Sequence, residues 1–259
     1  MSSRPIALFD SGFGGLTVMR EVARLLPHED LIYLGDTAHL PYGNKSPETV
    51  LQYALENSAF LMEQNIKLLM IPCHTACCHA LETLQKKLPI PVIGVIQPGL
   101  DLLGPSTRIG VIGTTSTIES GIYQSLILKQ IPNAQIHARA CPLFVPLIEE
   151  GFHLHPSTAQ IAESYLEALK GKIDVALLAC THYPLIRPLL QSVLGPTVKL
   201  IEPAEQCALL AKDSLTTRGL LNPQMGKPRY TFYVTDDPEK FRRLGRIFFG
   251  FDIEKVEKK

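Results

Sequence analysis

Tryptophan is absent from this chain of 259 residues, aromatic residues make up only 7% of it, and its 25 basic residues are matched by 25 acidic ones. The charge balance leaves no field to draw a nucleic acid or an anionic membrane, so neither is an expected partner. No apolar run reaches the length of a membrane span, and Met1-Ser2-Ser3-Arg4-Pro5 leads into a short apolar stretch rather than a signal-peptide core. A cytoplasmic location is expected. Also missing are the paired Cys-x-x-Cys units, or two histidines four apart, that a zinc site wants, so no metal is expected. In a reducing compartment the six cysteines point to chemistry or burial rather than to a disulfide framework.

What is present is 46% hydrophobic and 19% charged, the make-up of a compact globular protein of one large or two small domains. Short apolar runs ending in small or polar residues read as strands at Ile6–Phe9, Leu31–Leu34, Lys67–Ile71 and Val92–Ile96. Helical periodicity fills the intervals at Leu16–Leu26, Pro47–Gln64 and Ala76–Lys87. Such alternation builds a parallel sheet with helices on its faces. The pattern then restarts, with strands at Arg108–Ile112, Ala134–Ala138, Val175–Leu178 and Val198–Ile201, and helices at Thr117–Gln130, Ser157–Leu169 and Leu185–Leu194. A strand at Tyr230–Val234 and a helix at Pro238–Phe248 follow.

The two sets superpose in sequence. Asp10 and Thr114, each in the small polar turn that ends a first strand, are 104 residues apart; Cys73 and Cys180, each ending a third strand, are 107 apart; Pro98 and Pro203 are 105 apart. A near-constant internal period predicts two similar α/β halves related by a pseudo-twofold axis.

The stretch "IPCHTACCH", residues 71–79, is echoed by "LLACTHY", residues 177–183. Cys73 and Cys180 thus fall at carboxyl ends of strands, where open parallel sheets collect ligands. Cys77, Cys78 and His79 belong to the helix that follows; the two cysteines read as small buried hydrophobes and His79 as a surface or capping residue. Two thiols facing each other across a cleft suit inversion of a carbon centre, one removing a proton while the other delivers one to the opposite face. A cysteine hydrolase built on Cys180 would leave Cys73 dispensable. A binding protein for an acidic amino acid would need neither thiol. A dinucleotide site at Gly12-Phe13-Gly14-Gly15 lacks its third glycine, which would fall at Thr17.

Asp10-Ser11-Gly12-x-Gly14-Gly15, Gly35-Asp36 with Pro41-Tyr42-Gly43, Cys73-x-Thr75-Ala76 and Ala179-Cys180-Thr181-His182-Tyr183-Pro184, in this order, resemble the glutamate racemases of the cofactor-independent aspartate/glutamate racemase superfamily. The resemblance implies interconversion of L- and D-glutamate without a cofactor, supplying D-glutamate for peptidoglycan. An aspartate racemase is the nearest alternative, although Pro41-Tyr42-Gly43 points to glutamate. Cys73 and Cys180 would be the acid/base pair, Cys73 serving the D-enantiomer and Cys180 the L-enantiomer, with His182 assisting Cys180 and with Asp10 and Glu149 as supporting carboxylates. Substrate contacts would come from Asp10, Ser11, Tyr42, Gly43, His74, Thr75, Thr181 and His182. The family usually carries Asn where this chain has His74. The implied fold is two flavodoxin-like domains with the active site in the cleft between them, residues 1–96 with 208–259 forming the first and 97–207 the second. The partner is a small molecule; a homodimer is left open.

Local chemistry adds expectations of its own. Each cysteine should precede a helix start, where backbone N–H groups or a nearby cation lower a thiol pKa from about 8.5. His182, two residues beyond Cys180, is placed to tune that thiol or take its proton, the alternative being a helix-capping or core histidine. The motifs hold no arginine for the substrate carboxylates, so the Gly/Ser/Thr-rich turns must supply donors, Thr114 and Thr117 in the second half among them.

Overall fold

The computed structural model describes residues 1–224 and 226–259. Ten strands form among the described residues: β1 (Ile6–Asp10), β2 (Leu31–Gly35), β3 (Leu68–Ile71), β4 (Val92–Gly94), β5 (Arg108–Gly113), β6 (Gln135–Ala140), β7 (Val175–Ala179), β8 (Lys199–Ile201), β9 (Tyr230–Val234) and β10 (Glu257–Lys258). They make two sheets, ordered β10-β9-β2-β1-β3-β4 and β6-β5-β7-β8. Every pairing is parallel. Each quartet has the order second, first, third, fourth, so the internal period of the sequence is a repeat of topology. Strands β1, β2, β3 and β7 are buried along their whole length, as parallel strands covered on both faces must be.

Eleven α-helices run between them among the described residues: α1 (Leu16–Leu25), α2 (Pro47–Glu63), α3 (His74–Lys87), α4 (Ile96–Asp101), α5 (Thr115–Glu119), α6 (Ile122–Gln130), α7 (Phe144–Glu149), α8 (Pro156–Leu166), α9 (Arg187–Leu194), α10 (Ala204–Thr217) and α11 (Pro238–Phe249). None is long and apolar enough to cross a membrane. The single helix expected over Thr117–Gln130 is two, α5 and α6, because Gly121 adopts a left-handed conformation with φ of 68° and caps the second. The strand expected over Val92–Ile96 stops at Gly94, and Ile96 begins α4 instead. In the C-terminal part β9 pairs with β2, returning the chain to the first sheet.

Lys67 stands at the foot of β3, the strand that leads to Cys73. Its buried ammonium lies 2.5 Å from a carboxylate oxygen of Glu29 and donates to the backbone carbonyl of Ser2. The other oxygen of Glu29 accepts from the backbone N–H of Asn222, so four segments distant in the chain meet at one ion pair. Removing one partner of such a pair strands the other charge in the interior, at a cost of about 3–5 kcal/mol. Lys67→Met should lower the unfolding free energy by about that much in urea denaturation, and adding Glu29→Gln, which keeps an acceptor for Asn222 but no charge, should recover most of the loss.

Candidate active site

The carboxyl ends of the two sheets close on a cavity of about 350 Å³, mouth included. Ser11, Tyr42, Gly43, Cys73, His74 and Thr75 reach it from the first half; Thr114, Glu149, Cys180, Thr181 and His182 reach it from the second. Asp10 and Thr117 are sealed in the layer directly behind. The remaining wall is Pro41 and Ala179, which belong to the quoted motifs, with Leu40 and Val145, for which the sequence offered no signal.

Cys73 is the N-cap of α3, and its sulfur accepts the backbone N–H of Ala76 at 3.4 Å. The hydroxyl of Ser11 lies 3.8 Å from the same sulfur. The expected lowering of this thiol's pKa is not what the closed site produces. Burial pushes the thiol up and the Asp10 carboxylate pushes in the same direction, while the helix N–H and Ser11 offset only part of that. A protonated Cys73 results.

Cys180 differs in its surroundings. No α-helix begins directly after it: Thr181 and His182 form a turn leading into the short 3₁₀ segment Tyr183–Ile186, which provides little dipole, and α9 starts only at Arg187. The neighbouring cation is His182 instead. Its Nδ1 stands 4.0 Å from the Cys180 sulfur and its Nε2 is 2.9 Å from Oε1 of Glu149. Burial alone would favour the neutral ring, but the bonds to Cys180 and Glu149 outweigh it and raise the imidazole to about 10. His182 is therefore an imidazolium near neutral pH.

Asp10 accepts the backbone N–H of Gly12 at 2.9 Å and the hydroxyl of Thr181 at 3.4 Å, the latter a bond from one half to the other. Burial raises its carboxyl, and the charge on His182 is the main influence opposing that rise. The hydroxyls of Thr75, Thr114 and Thr117 form a triangle with sides of 2.9 Å, fixing the first turn of α3 to the first turn of α5. Two glycines permit this closeness. A methyl group on Gly14 would sit 2.1 Å from the Thr181 hydroxyl oxygen and 2.7 Å from Nδ1 of His182; one on Gly43 would sit 2.4 Å from Cβ of Thr114.

Tyr42 lines the cavity while its hydroxyl donates inward to Asp36 and accepts from Nδ2 of Asn57 at 3.1 Å. Asp36 is also bound by His39 and by Thr235, each at 2.8 Å, so the segment after β9 helps hold the Tyr42 turn. Asp36 belongs to the Gly35-Asp36 motif at the end of β2, where the sequence assigns it no role; His39, Asn57 and Thr235 carry no signal there. His79 is neither at the surface nor a cap. It is half-buried, with Nε2 2.8 Å from the Ser116 hydroxyl in the opposite half. Cys77 and Cys78 are buried as expected.

A family profile for Asp/Glu/hydantoin racemases matches residues 12–211. The chain belongs to this family. A glutamate racemase from Chlorobaculum tepidum is 45% identical over 99% of this chain and 96% of its own length. The crystal structure of glutamate racemase from Francisella tularensis in complex with D-glutamate superposes with a TM-score of 0.94 at 39% identity, covering 100% of this chain and 97% of that one. The Thermus thermophilus glutamate racemase in complex with β-chloro-D-alanine gives 0.91 at 40% identity, with 99% and 97% covered. This racemase has the fold of those enzymes, two α/β layers of parallel strands meeting at their carboxyl ends.

The state of His182 carries a pH signature. Its folded pKa, about 10, lies above the ordinary 6.5, so its contribution to stability is complete below pH 6.5 and is lost as pH rises through about 10. The urea midpoint of the wild type should fall more between those two pH values than that of His182→Asn. Equal falls would place the titration elsewhere.

Proposed function

We propose that this racemase interconverts L- and D-glutamate by proton transfer between the substrate α-carbon and two thiols, Cys73 and Cys180. The observation that carries the reading is one cavity with one cysteine from each half and unlike surroundings for the two sulfurs. A thiolate takes the α-proton, and the electron pair left on carbon is delocalised into the adjoining carboxylate. The other thiol gives its proton to the opposite face, so each turnover exchanges the protonation of the two sulfurs. His182 stands as an imidazolium with Nδ1 4.0 Å from the Cys180 sulfur, whereas burial keeps Cys73 protonated. That arrangement suits abstraction by Cys180 and delivery by Cys73, the L-to-D direction.

Glu149 holds His182 in orientation and charge, and Asp10 tethers the turn of Thr181. Ser11, Tyr42, Gly43, His74, Thr75, Thr114 and Thr181 are the proposed substrate contacts, with Thr117 setting the hydroxyls of Thr75 and Thr114 from behind. Both acid/base groups come from the chain, so no cofactor enters the scheme. The names of the relatives support glutamate over aspartate. The product would supply D-glutamate for peptidoglycan synthesis in the cytoplasm, a location in keeping with six free cysteines. Residues 1–96 with 208–259, and 97–207, are the proposed domains, and a homodimer is compatible with the scheme.

Incubation of the purified protein with L-glutamate in deuterated water should yield the D-enantiomer carrying one solvent deuterium at the α-carbon, by chiral separation and mass analysis. Dialysis against a strong chelator should leave the rate unchanged. L-Aspartate turned over as fast as L-glutamate would point to the other acidic amino acid, and inversion without deuterium would refute proton transfer with solvent-exchanging thiols.

A further inference from the structure

His74 follows Cys73 directly and lines the cavity, yet one side of its ring is engaged elsewhere: Nδ1 is 2.6 Å from the hydroxyl of Tyr123. Tyr123 lies in α6, in the other half, and is completely buried. We propose that Tyr123 is a positioning residue, whose hydroxyl donates to Nδ1 of His74 and so holds the ring proton on Nε2, aimed as a single donor at a substrate carboxylate.

The buried phenol of Tyr123 fixes the tautomer. Among the described residues His74 is the only hydrogen-bond partner of the Tyr123 hydroxyl. A buried phenol proton needs an acceptor, and a ring nitrogen accepts only when it carries no proton. Were Nδ1 the donor, the phenol proton would be stranded in the interior. With Nδ1 accepting, the neutral ring carries its proton on Nε2. That nitrogen has no protein partner among the described residues and is not one of the sealed polar atoms left unsatisfied, and the space that His74 lines is the cavity. Burial keeps the ring neutral, lowering its pKa to about 3. An asparagine amide at this position would present both a donor and an acceptor. The Nε2–H is a donor alone, and the acceptors that glutamate brings are its two carboxylates.

The kinetic consequence rests on the glutamate racemase reading; the tautomer does not. Long-range ¹H–¹⁵N spectra of the unliganded enzyme labelled at histidine, with His74 assigned by its loss in His74→Asn, should show an unprotonated Nδ1 and a protonated Nε2. Tyr123→Phe should move that signal toward the other tautomer. The same variant should raise KM for glutamate about tenfold, the loss of one hydrogen bond to a charged group, with kcat changed far less. In a His74→Asn background, Tyr123→Phe should leave KM essentially unchanged. A protonated Nδ1 in the wild type would overturn the proposal whatever the enzyme's substrate. An equal effect of Tyr123→Phe in both backgrounds would overturn it too, reducing Tyr123 to a packing residue.

Discussion

The imidazolium of His182 is a buried cation set among groups that are, or become, anionic: Glu149 at one nitrogen, Cys180 at the other, and Asp10 near enough for its carboxyl to respond. Leaving any of these charges uncompensated in a closed cavity would be expensive. With the cation present, carboxylates and sulfurs from both halves can share one small volume. The glycines at positions 14 and 43 follow from the same requirement, since any side chain there would occupy the space through which the second half approaches.

Repeated topology supplies two cysteines at equivalent strand ends, but it does not make them equivalent chemically. Cys73 caps an α-helix beside a buried carboxylate, whereas Cys180 enters a turn that carries its own cation. A symmetric pair would gain little from the cleft, because one thiol must be ready to accept a proton while the other is ready to give one. The asymmetry arises from the residues inserted after each strand, His74-Thr75-Ala76 in one case and Thr181-His182-Tyr183 in the other. In the first half the histidine is held at Nδ1 by a tyrosine and is neutral; in the second it is held at Nε2 by a carboxylate and is charged.

The internal period and the strand-end cysteines were legible because parallel strands write themselves as apolar runs and their carboxyl ends as small polar turns. Both sheets keep the strand order that the repeat implies. Less legible were features set by tertiary context. The break at Gly121 needs a backbone conformation that helical periodicity cannot register. The raised thiol of Cys73 comes from burial and from the carboxylate of Asp10, 63 residues away, neither of which leaves a local trace in sequence. Tyr123 and Thr235 act through contacts 49 and 199 residues distant in the chain, on His74 and Asp36 respectively. Glu149 was reachable only through family resemblance, since nothing in "LIEEG" distinguishes it from Glu150, which is exposed and pairs with Lys240.

The claim that the two thiols serve opposite faces of one carbon is tested most directly by Cys73→Ser and Cys180→Ser, each given the separate enantiomers of a glutamate bearing a leaving group at C3. Elimination needs proton removal alone, so it isolates one face at a time. Serine keeps the shape of cysteine but is a far poorer base near neutrality. Cys180→Ser should lose elimination from the L-enantiomer while retaining it from the D-enantiomer, and Cys73→Ser should show the reverse. Loss of both activities in one variant and of neither in the other would contradict the two-base account and leave a single reactive cysteine.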